Sequence, residues 1–222
     1  MSNIINDKVL DYINGYYKPL SDELASLRAE SEENRVPIIL KDTETFLVSM
    51  FALSKPKKIL EIGTAVGYSA ACFATAAPDA EIVTIERSDE AYEEALKNVE
   101  KLGLSERITC LKGDACEILE ELVKRYEAGE TDDFDFVFID AGKSHYKEFL
   151  DLSMKLTKSG ALIVCDNILM KAKTASDEYD PTGRYKTNIR RMREFVDYLM
   201  AKEELSSSLL PNGDGISLSI VK

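Results

Sequence analysis

The sequence predicts an α/β fold, a doubly wound sheet of seven strands that is mostly parallel, ends in an antiparallel hairpin and carries N-terminal cap helices. Three observations predict it. Five short apolar, β-branched runs alternate with longer amphipathic stretches. The central runs are apolar on both faces, as buried parallel strands are. The tail reads as two further strands around Pro211-Asn212-Gly213-Asp214-Gly215.

Each element follows in order. Residues 4–54 hold two or three helices and no strand, and cover one edge of the sheet. Strands are expected at Lys58–Ile62, Glu81 to Ile85, Arg107 to Leu111, Phe134–Ile139 and Ala161 to Cys165. Between Glu81 to Ile85 and Arg107 to Leu111, Ser88 caps a helix with Asp89 and Glu90 in its first turn. Tyr92, Ala95, Leu96 and Val99 continue it at helical spacing, and Gly103 ends it. Similar helices are expected near residues 67–77, 115–126, 144–157 and 187–203, the last with Ile189, Met192, Val196 and Leu199 on one face. Residues 206–210 and 216–221 form the hairpin. With no repeat or linker, residues 1–222 read as one domain, a helical cap (1–54) on a core (55–222).

Composition narrows the function. One histidine, His145, cannot build a multi-histidine zinc site and makes a Ser-His-Asp triad a poor fit. The four cysteines (Cys72, Cys110, Cys116, Cys165) form no CxxC and read as reduced, buried thiols of a cytoplasmic protein. No run approaches a membrane span, and the N-terminus has no signal-peptide pattern. A net charge of −12 opposes indiscriminate nucleic-acid binding.

The first strand runs into Glu61-Ile62-Gly63-Thr64-Ala65-Val66-Gly67-Tyr68-Ser69. Glycines at a strand-to-helix turn let backbone approach a ligand closely. The turn is neither GxGxxG nor a Walker loop, so it suits a ligand without a pyrophosphate. Ser69, at the helix start, is placed to hold a carboxylate. Glu86 ends the second strand, 23 residues after Gly63, where an acid accepts hydrogen bonds from a ribose diol. The third strand leads to Gly113-Asp114-Ala115, where an acid can face an adenine amino group. For any one of these elements, a tight turn or a helix cap is the competing reading; the glycine turn and the two acids together, at three successive strand ends, favour a ligand.

The fourth strand ends in Asp140-Ala141-Gly142-Lys143 and the fifth in Asp166-Asn167. Two carboxylates and an amide at neighbouring strand ends suit a hard cation such as Mg²⁺, with turn-forming and helix-capping roles as the alternative.

On these residues the sequence resembles the class I S-adenosylmethionine-dependent methyltransferases, and more closely the metal-dependent O-methyltransferases that include catechol and caffeoyl-CoA O-methyltransferases. The resemblance runs from about residue 30 to the terminal hairpin and implies a Rossmann-like fold. It implies that Ser69 binds the methionine carboxylate, Glu86 the ribose, and Asp114 with Ala115 the adenine. Glu61, Gly63 and Asp140 belong with the cofactor, as does Ile39 in the covering segment Val36-Pro37-Ile38-Ile39. Asp140, Asp166 and Asn167 are implied metal ligands, for Mg²⁺ or another divalent cation. Lys143 is the implied general base, catalytic together with Asp140. His145 has no counterpart role and is expected at the surface or behind the ligands. The resemblance also implies a homodimer, with the N-terminal helices as its interface.

The acceptor must offer two neighbouring oxygens, as a catechol or a 5-hydroxyuridine does. Residues 171–193 carry a net charge of +4, leaving −16 on the rest of the chain. Lys171, Lys173, Arg184, Lys186, Arg190 and Arg191 are therefore candidate RNA contacts; a solvated helix face is the alternative. Val36-Pro37-Ile38, residues 56–64, Thr84-Ile85-Glu86-Arg87 and Gly213-Asp214-Gly215 resemble the bacterial tRNA 5-hydroxyuridine methyltransferases, which make wobble 5-methoxyuridine. That branch carries a glycine where Met170-Lys171-Ala172 stands here. The expected activity is tRNA 5-hydroxyuridine O-methylation, the alternative being a small-molecule catechol or hydroxycinnamoyl-CoA O-methyltransferase.

Overall fold

The computed structural model describes residues 4–222. Three helices open it, α1 (Asp7–Asn14), α2 (Asp22–Glu33) and α3 (Lys41–Ser54). Strands and helices then alternate: β1 (Lys58–Ile62), α4 (Tyr68–Ala76), β2 (Glu81–Glu86), α5 (Asp89–Lys101), β3 (Ile108–Lys112), α6 (Ala115–Glu127), β4 (Phe134–Ile139), α7 (Tyr146–Lys155), β5 (Thr157–Cys165) and α8 (Lys186–Met200). Strands β6 (Leu205–Leu210) and β7 (Ile216–Val221) close the chain.

The starts of several helices are set by local chemistry. Ser21 accepts from Leu24 N at α2, Ser88 from Ala91 N at α5, and Asp114 from Cys116 N at α6. Strand β5 begins four residues before the apolar run that announces it, because polar Thr157, Lys158, Ser159 and Gly160 continue the extended backbone. Thr157 pairs with Phe134 across a register irregularity. Helix α7 starts at Tyr146, after a 3-10 turn over Lys143–His145.

The sheet order is β3-β2-β1-β4-β5-β7-β6. Strands β3, β2, β1, β4 and β5 pair in parallel, and β7 is antiparallel to both β5 and β6. The winding reverses between β1 and β4, where the loops after the two strands diverge and leave a crevice at their carboxyl ends.

Alternation along the buried strands feeds two cores. Val137 and Ile139 face Leu119, Leu150, Met192 and Phe195 of α6, α7 and α8. Phe136 and Phe138 face the other side, with Phe51 and Phe73. There the rings meet edge to face, Phe51 against Phe136 at 4.8 Å and Phe73 against Phe138 at 5.4 Å between centroids. On α8 the buried face includes Phe195, with Val196 beside it only partly covered.

The cap is joined to the sheet layer by a buried charged network. Arg28 of α2 donates from Nη2 to Glu44 Oε2 of α3 at 2.6 Å and to the Ile39 carbonyl at 2.9 Å. Its Nε donates to the Tyr68 hydroxyl on α4 at 3.0 Å, and Tyr68 donates to Glu44 at 2.8 Å. Arg28 is 5% and Glu44 2% exposed. Removing one partner leaves the other charge stranded in the interior. Arg28→Ala is expected to lower the unfolding free energy in urea by about 3–5 kcal/mol; a loss below about 1 kcal/mol, the range of exposed pairs, would contradict this role.

Candidate active site

The crevice at the switch point holds a cavity of about 580 Å³. Its floor is the β1–α4 loop, and its geometry depends on a missing side chain. A Cβ on Gly63 would lie 2.1 Å from the Asp140 carbonyl oxygen, and Gly63 has φ +108°. Glycine therefore lets the loop after β1 lie against the loop after β4. Ser69 lines the cavity from the first turn of α4. Ile39 lines it from the cap, beside Pro37 and Ile38. Tyr68 reaches the same wall from the Arg28 network.

Glu61 lies beneath this floor, fully buried, and does not line the cavity. Thr84 Oγ1 donates to its Oε2 at 2.5 Å, while Oε1 has no hydrogen-bond partner. Burial pushes its carboxyl up to about 8, against the pull of the Ser69 and Thr84 hydroxyls. Glu86 lines the cavity with its carboxylate already oriented by three backbone donors. Ala65 N reaches Oε2 at 2.9 Å, and Arg87 N and Ser88 N reach Oε1 at 2.9 and 2.8 Å. Each carboxylate oxygen keeps acceptor capacity for a ligand. Asp114 both caps α6 and, with Ala115, lines the cavity, so the two readings of that acid coexist.

The other end of the cavity is acidic. Asp140 follows β4 and Asn167 follows β5, both lining the cavity, while the adjacent Asp166 is buried and is not among the lining residues. Asn167 Nδ2 donates to Asp140 Oδ1 at 3.0 Å, and Asn167 N to Asp166 Oδ1 at 2.6 Å. The amide thus turns its NH₂ toward Asp140; rotation about χ2 would bring its oxygen there instead. Asp166 is 4% exposed. Burial raises both aspartates above the usual carboxylate range, the charge of Asp140 raises Asp166 further, and Lys143 opposes both shifts. No cluster of three or more His, Cys, Asp or Glu side chains suited to a metal occurs among the described residues. The donor set here is two carboxylates and one amide. Lys143 lines the cavity from the 3-10 turn.

Several contributors are not legible as site residues. Asp214, in the β6–β7 turn, shares the field of Asp140, Asp166 and Lys143. Cys116 and Phe149 line the cavity as well. His145 lies on its wall, exposed, hydrogen-bonded to Ser144 and tilted against Phe149 at 5.9 Å. The expectation of four buried thiols is corrected. Cys72 and Cys165 are buried, but Cys110, on the edge strand β3, and Cys116, on the cavity wall, are half-buried.

The basic segment follows β5 directly. Lys171, Arg184, Lys186, Arg190 and Arg191 are exposed. Lys173 is half-buried, with Nζ 5.2 Å from the Tyr185 ring centroid. Arg193 turns back to the Thr174 carbonyl at 2.8 Å and to Asp177 at 2.8 Å, so its charge is spent inside the segment.

Residues 14–222 match the sequence model of a family described as O-methyltransferase. The chain belongs to the O-methyltransferase family. It is 31% identical to "Probable caffeoyl-CoA O-methyltransferase 2" of Dictyostelium discoideum, over 96% of this chain and 91% of that protein. It is 30% identical to the catechol O-methyltransferase of Niastella koreensis, over 100% of both chains. The crystal structure of the O-methyltransferase TomG from Streptomyces achromogenes, in complex with SAM, superposes with a TM-score of 0.81 at 26% identity, covering 97% of this chain and 96% of that one. The family's fold is therefore the one the sequence predicts.

Burial of Glu61 is expected to make the stability of this O-methyltransferase depend on pH. A carboxyl raised from its ordinary 4.5 to about 8 binds its proton more tightly folded than unfolded. It imposes no penalty below about pH 4.5, and stability is lost progressively as pH rises toward 8. Glu61→Gln is expected to flatten that decline in thermal unfolding measured across this range. A variant profile parallel to the wild type would show that Glu61 is ionised without penalty.

Proposed function

We propose that the chain acts as one S-adenosylmethionine-dependent O-methyltransferase domain on an acceptor with two neighbouring oxygens, a small phenol such as a catechol or hydroxycinnamoyl-CoA. The observation that carries this is that Ser69, Glu86, Asp114, Asp140, Asn167 and Lys143 all line one cavity. The SAM complex of a similarly folded relative and the acceptors named for the relatives support it.

In this reading Ser69 receives the methionine carboxylate at the start of α4, with Ile39 covering it. Glu86 accepts from the ribose hydroxyls, and Asp114 with Ala115 faces the adenine. Gly63 shapes the floor, and Glu61 supports it from beneath.

Asp140, Asp166 and Asn167 fit a hard divalent cation such as Mg²⁺. They are all oxygen donors once the amide is rotated, and the mutual repulsion of the two carboxylates favours a cation between them. Such an ion supplies Lewis acidity and a template for two adjacent oxygens. Lys143 takes the proton of the acceptor hydroxyl. S-adenosylmethionine provides an electrophilic methyl group, and the chain's main work is holding the two reactants in near-attack geometry. The close contact of Gly63 with Asp140 fixes the distance between the two ends of the cavity.

A second reading, methylation of tRNA 5-hydroxyuridine at the wobble position, is favoured by the exposed Lys171, Arg184, Lys186, Arg190 and Arg191, with Lys173 beside them. Exposed Val9, Tyr12, Ile13 and Tyr16 on or next to α1 support a homodimer through the N-terminal helices.

Labelled S-adenosylmethionine with Mg²⁺ and, in separate reactions, catechol, hydroxycinnamoyl-CoA and hypomodified tRNA tests both readings. Transfer to the phenols alone is expected. Transfer to tRNA alone, lost in Arg190→Ala/Arg191→Ala, would replace the first reading by the second. Lys143→Ala is expected to lower turnover about 10²–10⁴-fold, the scale of a general base; unchanged turnover removes it from that role. A chelator is expected to abolish transfer, with Mg²⁺ restoring it, and chelator-resistant activity would refute the metal assignment.

A further inference from the structure

We propose that Asp214 is a positioning residue for the acceptor side of the site, acting through the turn 211–215 between β6 and β7. The proposal builds on the acceptor reading above. After Asp166 the chain enters a segment with four left-handed residues, Asn167, Met170, Lys171 and Ala172, at φ 60°, 50°, 57° and 69°. L-residues other than glycine adopt that region reluctantly, and three of these are consecutive. Contacts from elsewhere must hold them.

The turn supplies three such contacts. The Gly215 carbonyl accepts from Ile168 N at 2.9 Å, and the Asp214 carbonyl from Leu169 N at 3.0 Å. The Asp214 carboxylate accepts from Lys171 N, in the middle of the left-handed run. The turn is gripped in its own right from the cap. Gly213 N donates to Asp42 Oδ2 at the start of α3, at 2.7 Å. Neither glycine can carry a side chain. A Cβ on Gly213 would lie 2.3 Å from Thr43 Oγ1, and one on Gly215 would lie 2.2 Å from Leu169 Cγ. Cap, hairpin and acceptor segment therefore close on one another at this turn. The charges of Lys143, Lys171 and Lys173 act on the Asp214 carboxylate, and its charge acts on Asp140 and Asp166, so the clasp lies within the field of the predicted metal and base cluster.

The full-length chain, Asp214→Ala and Asp214→Asn are compared. Asparagine keeps an oxygen to accept from Lys171 N; alanine does not. Tryptic cleavage after Lys171 and Lys173 is expected to accelerate on the order of tenfold in Asp214→Ala, through local opening, and to stay near wild type in Asp214→Asn. Turnover of catechol is expected to fall on the order of tenfold in Asp214→Ala and to recover in Asp214→Asn, with affinity for S-adenosylhomocysteine unchanged in both. Equal cleavage rates would overturn the proposal. So would a parallel loss of S-adenosylhomocysteine affinity, the mark of a general structural role. Should Asp214→Ala fail to fold, hydrogen exchange in the wild type decides: a protected Lys171 amide supports the clasp and a freely exchanging one refutes it. A wild type that binds no S-adenosylhomocysteine refutes the functional reading alone, since cleavage and exchange still decide the clasp.

Discussion

The contact between Gly63 and the backbone of Asp140 constrains everything built above the sheet. Two strands that diverge at a switch point leave a crevice, but its depth depends on how closely the two following loops approach. Here the Asp140 amide donates to the Ile62 carbonyl at 2.9 Å, which continues the β1–β4 pairing past the last strand residues. Only a residue without Cβ fits beside it. The result is that the loop suited to an amino-acid-bearing ligand and the first predicted metal ligand are consecutive walls of one cavity. Placing the two walls in backbone contact fixes their separation before any ligand binds.

The same closeness creates an electrostatic problem. Glu61, Asp140, Asp166 and Asp214 are all raised by burial, and several raise one another. The charge of Lys143 opposes the shift of three of them, Asp140, Asp166 and Asp214. A chain that already carries −12 gains nothing in stability by adding this cluster. Groups held above their usual range in a concave site are the pattern expected where stability has been traded for chemistry. The left-handed run at 170–172 fits the same pattern, since each such residue costs about 1–2 kcal/mol unless its neighbours impose it. Arg193 is one of those neighbours: its guanidinium binds the Thr174 and Lys173 carbonyls.

What could be read from the sequence was local. Five apolar runs and the turn of the tail place the seven strands, and the strand ends place Glu86, Asp114, Asp140 and Asp166, because a strand's carboxyl end is a position that one residue number specifies. What could not be read was carried by contacts between distant segments. Arg28 sits in DELASLRAESEE, a polar helix in which an arginine looks solvated. Its burial follows from Glu44, Tyr17 and Tyr68, which the sequence separates by 11 to 40 residues. Asp214 looked like a turn former and is one, yet its side chain reaches Lys171, 43 residues away. Phe195 was missed for a different reason: α8 buries a face one residue wider than its aliphatic positions mark. Strand β5 is longer than its apolar run because its first four residues, Thr157, Lys158, Ser159 and Gly160, lack apolar side chains.

The basic segment shows how a charge count changes once side chains have partners. By composition residues 171–193 carry +4. Arg193 is bound to Asp177 at 2.8 Å, and Arg190 lies 3.7 Å from Glu194, so neither projects a full charge outward. Lys173 is turned toward the Met170 carbonyl and the Tyr185 ring. The outward field rests mainly on Lys171, Arg184, Lys186 and Arg191, and at physiological salt it decays over about 8 Å. A long polyanion would extend well past that range onto a surface whose remaining charge is −16. A small acceptor, or one with its phosphates held close to the cavity mouth, would stay within it. The outward field of the segment is thus local to the residues that follow β5.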